Sequence, residues 1–139
     1  MAIFLNNKVG FKLNTVDLSD HVTAFTLNRA ADQLEVTAMG DTAHKFVTGL
    51  SADTITVSFL NDTAAASVLA TLQAAFGTTV AFKAIQDKVP AVSATNVLYT
   101  GTVLVDNLTD IAGAVADEAM IDITFTCNST TALATSGTF

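Results

Sequence analysis

Few residues in this chain are able to do chemistry. There is one cysteine, Cys127, and there are two histidines, His21 and His44. A thiol beside an imidazole is the minimum for nucleophilic catalysis, because the base removes the proton that keeps sulfur unreactive. Cys127, however, continues the alternation Ala119, Ile121, Ile123, Phe125, where a small core residue is expected rather than an accessible nucleophile. Asp41 and Asp53 offer two carboxylates for acid–base work. Asp41 falls in a glycine turn and Asp53 at a strand start, so both are expected to serve the backbone. Neither histidine has a cysteine or second histidine at metal-ligand spacing, and no glycine heads a G-x-x-x-x-G-K turn. The chain is therefore read as a non-enzyme with no metal site and no cofactor.

Composition narrows the class further. With 139 residues, half of them hydrophobic and 14% charged, one globular domain spanning 1–139 is expected. Thirteen acidic residues against six Lys and Arg give a net charge of −7. The bases Lys8, Lys12, Arg29, Lys45, Lys83 and Lys88 are scattered, which is unsuited to gripping nucleic acid. No apolar run approaches the ~20 residues of a membrane helix, so no membrane binding is expected. The start, Met1 to Lys8, lacks the basic and long apolar regions of a signal peptide, and a lone cysteine suits a reducing compartment.

The elements that must position these residues read as mainly β. The 22 threonines combine a β-branched carbon with a polar tip, which suits the wet face of a sheet. Strands are expected at Val9–Leu13, Val22–Asn28, Leu34–Ala38, Asp53–Leu60, Thr79–Ile85, Val97–Asp106 and Glu118–Cys127. Residues 63–76 carry Ala65, Val68, Leu69, Leu72 and Phe76 as one stripe, which predicts a single helix ended by Gly77. Residues 39–52 are expected to be a long loop, and 128–139 a mobile extension or one ordered only by a partner. The architecture expected is an antiparallel β-sandwich or open barrel of seven to eight strands flanked by that helix.

Strand faces made of uncharged Thr and Ser suggest a surface covered by further copies of the chain, which would also protect the sheet edges. The segment "EVTAMGDTAHKFVTGL" fits such a role. Gly40 and Gly49 let it leave and rejoin the sheet, Phe46 and Val47 supply apolar contact, and Asp41, His44 and Lys45 supply polar contact.

The order "VDLSDHVTAFTLN", "EVTAMGDTAHKFVTGL", "DTITVSFLND" and an Ala-rich helix, then "SATNVLYTGTVLVDNL" and "GAVADEAMIDITFTC", resembles the major tail tube proteins of long-tailed, non-contractile bacteriophages. The resemblance covers roughly residues 1–127. It implies a virion structural protein, made in the host cytoplasm, that forms hexameric rings stacked head to tail into a tube. It also implies partners: other copies of itself, the tape-measure protein, and the tail terminator and tail tip proteins. DNA would be met only in transit, without sequence preference. Ring-to-ring contacts are implied for the N-terminal arm (1–8, notably Ile3, Phe4 and Leu5), the loop and the C-terminal segment. DNA carries a negative charge about every 1.7 Å of axis, so an acidic conduit lets it slide. Glu35, Glu118 and Asp122, on non-core faces, are the expected lumen residues. The alternatives are another tail or secretion-tube component, or a carbohydrate-binding or adhesive β-sandwich module. The latter is short of aromatic platforms, with no Trp and one Tyr.

Overall fold

The computed structural model describes residues 8–139, so the expected contact residues Ile3, Phe4 and Leu5 lie outside it. The elements are β1 (Gly10–Leu13), β2 (Val16–Asp17), β3 (Val22–Asn28), β4 (Ala31–Glu35), β5 (Phe46–Ser51), β6 (Thr54–Leu60), α1 (Val68–Ala75), β7 (Thr79–Ile85), β8 (Leu98–Leu104), β9 (Met120–Cys127) and β10 (Ala132–Ala134). One antiparallel sheet runs β2-β1-β7-β8-β9-β6-β3, with β10 also paired to β8, while β4 and β5 form a separate two-stranded sheet. The mainly β, one-helix class expected from the sequence is the one found, with ten strands among the described residues instead of seven or eight.

The sheet curls into an open barrel. β1 and β3 stand near opposite ends of the strand order, yet the Phe11 and Phe25 rings approach to 5.2 Å between centroids. Phe59 and Phe125 join them at 6.1 and 6.5 Å from Phe11. Such ring pairs contribute roughly 0.5–1.5 kcal/mol each beyond area burial. They close the barrel through side chains where no ladder closes it.

β6 shows how the sequence makes this core. Ile55, Val57 and Phe59 alternate with Thr54, Thr56 and Ser58 and meet Phe125, Ile123 and Ile121 of β9; all six apolar side chains are buried. The opposite face carries hydroxyls across three strands, with Thr26, Thr56 and Thr124 in one row and Asn28, Thr54 and Thr126 in the next. A third row holds Ala24, Ser58 and Asp122. The β8–β9 ladder holds only two pairs, Val103↔Cys127 and Leu104↔Thr126. Beyond it β8 pairs with β10 instead.

Several expectations are corrected. The first connection is a tight hairpin: Asn14 and Thr15 have φ of 50° and 70°, the left-handed pair that turns β1 into β2. The helix covers 68–75, not 63–76. Its start is delayed because Asp62 turns the chain locally, taking the Ala64 amide on its own carboxylate. The buried stripe is therefore Val68, Thr71, Leu72 and Ala75, while Ala65 and Phe76 are exposed. The strand expected at Leu34–Ala38 is Ala31–Glu35, and the loop expected over 39–52 contains β5. Gly49 reads as a loop residue but sits inside β5. A Cβ there would lie 3.2 Å from Asp32 Cβ and 3.3 Å from Leu34 Cγ, so glycine lets the cross-strand neighbours close in.

Residues 128–139 form an ordered strap rather than a mobile tail. β10 pairs with β8, Ser129 Oγ accepts the Thr102 amide, and Lys83 Nζ donates to the Thr138 carbonyl. The Phe139 ring then lies 4.6 Å below the Lys12 ammonium.

Candidate assembly surfaces

Among the described residues the exposed large apolar side chains gather most at the β4–β5 hairpin. Its register pairs Gln33 with Thr48, Leu34 with Val47 and Glu35 with Phe46. Every residue of both strands is exposed. Leu34, Val36 and Val47 are apolar on one face and Phe46 on the other; Leu50 is exposed where the bulge interrupts the register, and Met39 stands fully exposed at the tip. An isolated two-stranded hairpin is marginal in water, and one with apolar side chains on both faces has a partner layer missing on each side.

The tip is held by polar contacts. Gly40 (φ +91°) makes the turn, and the Asp41 carboxylate takes the Ala38 amide at 2.8 Å and the Lys45 ammonium at 2.6 Å. Those contacts, led by Lys45, hold the Asp41 carboxyl below the ordinary range. Thr37 donates to Glu35, His44 shares a hydrogen bond with the same carboxylate, and the His44 ring stands 6.3 Å from Phe46. Gly40, Asp41, His44, Lys45, Phe46, Val47 and Gly49 thus all belong to one projecting unit, as does Glu35, which was expected in the lumen.

At the root a buried carboxylate fixes where the hairpin leaves the barrel. Asp53 is 4% exposed and accepts the amides of Ala30, at the entry to β4, and Thr131, in the strap. Burial pushes the Asp53 carboxyl up, but contact with Thr131, the Ala30 amide and the Arg29 charge outweigh it, leaving the carboxyl below the ordinary range. Thr131 Oγ1 misses hydrogen-bond geometry, so the two amides carry the clamp. Ser51 and Thr130 add a hydroxyl pair at 2.9 Å.

A second exposed segment joins β8 to β9. Asn28, Thr54 and Thr126 lie at the hairpin's end of the sheet, whereas Leu60 pairs with Met120 at the other end. The loop of residues 105–119 enters β9 at that far end, about 20 Å along β6. Ile111 and Val115 are almost fully exposed in it. Glu118 lies in this loop, and Asp122 projects from β9 among the hydroxyls.

The candidate chemical groups are not brought together. His21 pairs with Asp62 at 3.0 Å, His44 with Glu35, and Asp41 and Asp53 sit at opposite ends of the hairpin. Burial and the nearby Asp53 charge push the Cys127 thiol up, away from the thiolate form. Among the described residues no group of His, Cys, Asp and Glu is arranged to hold a metal, and no helix is long and apolar enough to cross a membrane.

Sequence reasoning included Met39 and Leu50 in the expected 39–52 loop without naming them, read Leu34 and Val36 as one strand face, and gave Ile111 and Val115 no role. For the hairpin the signal was present, since Leu34 and Val36 keep a two-residue period. Ile111 and Val115 stand among alanines and a glycine with no period to mark them.

No protein-family model and no curated protein matches the sequence. Solved structures do match. A chain of the virion of a native gene transfer agent (GTA) particle superposes with a TM-score of 0.72 at 13% identity, covering 95% of this chain and 99% of that one. A chain from the tail of an empty GTA particle, computed with helical refinement and C6 symmetry, gives 0.60 at 14% identity, with 82% of each covered. The fold is therefore shared with these particle chains over most or nearly all of its length.

Proposed function

We propose that this chain is a structural subunit of a phage-like tail, six copies closing a ring and the rings stacking head to tail into a tube that passes DNA. The observation that carries the reading is a pair of exposed apolar surfaces toward opposite ends of the sheet: the hairpin beyond Thr54 and Thr126, and the later part of the 105–119 loop, which leaves β8 at the hairpin's end but brings Ala112 and Gly113 beside Met120 and Asp122 at the other. A two-fold dimer covers both patches only if the copies lie antiparallel, each hairpin on its partner's far loop, and it then stops growing. A head-to-tail contact covers both and leaves a filament able to grow.

A lateral contact has its own support. Among the described residues β3 pairs only with β6, so its other edge offers seven residues, VTAFTLN, without charge or proline. An edge this unguarded is usually covered by another strand. The shared fold with GTA virion and tail chains favours a tail location and six-fold rings. The hydroxyl face of β3, β6 and β9, which carries Asp122, suits a channel wall: neutral or acidic, without cations to hold phosphates; Glu118 lies in the loop outside that face. Tape-measure, terminator and tail tip proteins are the further partners this role requires.

Negative-stain microscopy of the purified protein, alone and with a tail initiator, tests the reading. Rings or tubes of uniform diameter are expected. Phe46→Asp, or loss of residues 42–48, should leave a folded subunit that does not stack. A protein that stays monomeric at high concentration with the initiator present would defeat the proposal.

A further inference from the structure

The 105–119 loop carries charge as well as apolar surface. No Lys, Arg or His follows Lys88 in the sequence, yet five acids do: Asp106, Asp110, Asp117, Glu118 and Asp122. Among the described residues none of the five meets a cation. Asp106 bonds Asn107 and Asp110 bonds Gln73, both neutral amides, and the ion pairs all lie elsewhere. Asp117, Glu118 and Asp122 instead rim an open hollow of about 390 Å³ that Ala112, Gly113 and Met120 complete.

The hairpin tip has the complementary character. The Lys45 side chain is 62% exposed while its partner Asp41 is 17% exposed, so the pair presents its ammonium outward and its carboxylate inward. Met39 extends beside it into solvent with no contact layer. The tip is thus a cation flanked by a flexible apolar side chain. The hollow is lined by three carboxylates together with Ala112, Gly113 and Met120, and the exposed Ile111 and Val115 are neighbours of its lining residues in the chain.

We propose that the hollow formed by residues 112–122 is the acceptor for the hairpin tip of a second copy of this chain, with Lys45 entering the Asp117–Glu118 rim and Met39 covering Ile111 and Val115. This rests on the tube reading and gives its stacking contact two named halves. It also gives the uncompensated acids a partner in the Lys45 ammonium of the next copy, and the acids disfavour a hollow-to-hollow encounter, in which like charges meet.

The test is a charge exchange. Asp117→Lys with Glu118→Lys should keep the thermal unfolding of the free subunit while lowering the assembled fraction at least about tenfold. Raising salt to ~1 M shortens screening to about 3 Å and should partly relieve that defect. Adding Lys45→Glu to the double variant should restore tubes, a rescue that general destabilisation cannot produce. In a Cys127→Ser background, Met39→Cys and Val115→Cys chains should form a mixed disulfide under oxidation only when both are present. Normal assembly of the lysine variant overturns the acceptor, as does failure of the exchange together with absence of the mixed disulfide, and wild-type tubes in the same experiment leave the tube reading intact. Absence of any wild-type ring or tube overturns both.

Discussion

In β6 and β9, Ile55, Val57 and Phe59 meet Phe125, Ile123 and Ile121 across the ladder, and all six are buried. In β4 and β5, Leu34 meets Val47 across the same kind of ladder, and both remain about half exposed. The two pairs have comparable local sequence. They differ in what lies above them: the first faces the aromatic cluster and α1, the second has no covering layer among the described residues. Alternation reports a strand's capacity to bury one face; it does not report whether the covering layer belongs to the same molecule. That difference separates the pairs that fold this chain from the pairs left uncovered within it.

The sharpest way to break the comparison is to truncate an aromatic residue on each side of it. Phe59→Ala should cost about 3–5 kcal/mol in urea unfolding of the free subunit, because a cavity replaces a ring packed on Phe11. Phe46→Ala should stay within about 0.5 kcal/mol, since solvent already reaches that ring. Equal losses at the two positions would mean that the hairpin has an internal partner after all.

A smaller effect is expected at the junction between the two regions. Asp53→Ala leaves the Ala30 and Thr131 amides without their acceptor and should cost about 1–3 kcal/mol. Amide exchange should accelerate at those two residues more than along β6. Because the folded Asp53 carboxyl lies below its unfolded value, its contribution is complete above about pH 4 and lost as pH falls through the lower folded value. Asp53→Asn should therefore flatten the acid limb of a stability–pH curve. An unchanged acid limb would show that Asp53 does not lock the hairpin root.

The smallest effect sharpens the contrast. Leu34→Thr with Val47→Thr keeps two β-formers in register and removes apolar surface, so monomer unfolding should shift by no more than about 0.5 kcal/mol. Sedimentation at rising concentration should show weaker association. A large loss of monomer stability would place these side chains in the fold rather than at its margin.

Much of the barrel was legible because its strands obey a two-residue rule that burial enforces. Val22–Asn28 and Thr79–Ile85 were read with their observed bounds, and β6 and β9 to within one or two residues. β5 was not read as a strand because Gly49 and the His44-Lys45 pair imitate a loop. Its extended form follows from pairing with β4, whose register a bulge between Ala31 and Gln33 shifts. The strap was missed for a similar reason. Ser129, Thr130 and Thr131 are ordinary loop residues until Asp53, Ser51 and the Thr102 amide are placed opposite them. Of the assembly surface, the tip residues could be read from charge and glycine punctuation. The acidic hollow could not: its lining falls within the single stretch 112–122, but nothing in the spacing of Ala112, Gly113 and the carboxylates marks the turn back onto β9.

The two-rung ladder between β8 and β9 has a mechanical consequence. Among the described residues, Val103↔Cys127 and Leu104↔Thr126, extended by the Asn128 amide on the Thr102 carbonyl, connect the plate β2-β1-β7-β8-β10 to the plate β9-β6-β3 by main-chain pairing, while the ladders inside each plate run up to seven rungs. Sliding one plate against the other is then the softest deformation available to the subunit, with the phenylalanine cluster acting as the bearing. In a stack of such subunits, curvature would be absorbed as many small slips within subunits, leaving the contacts between them unstretched.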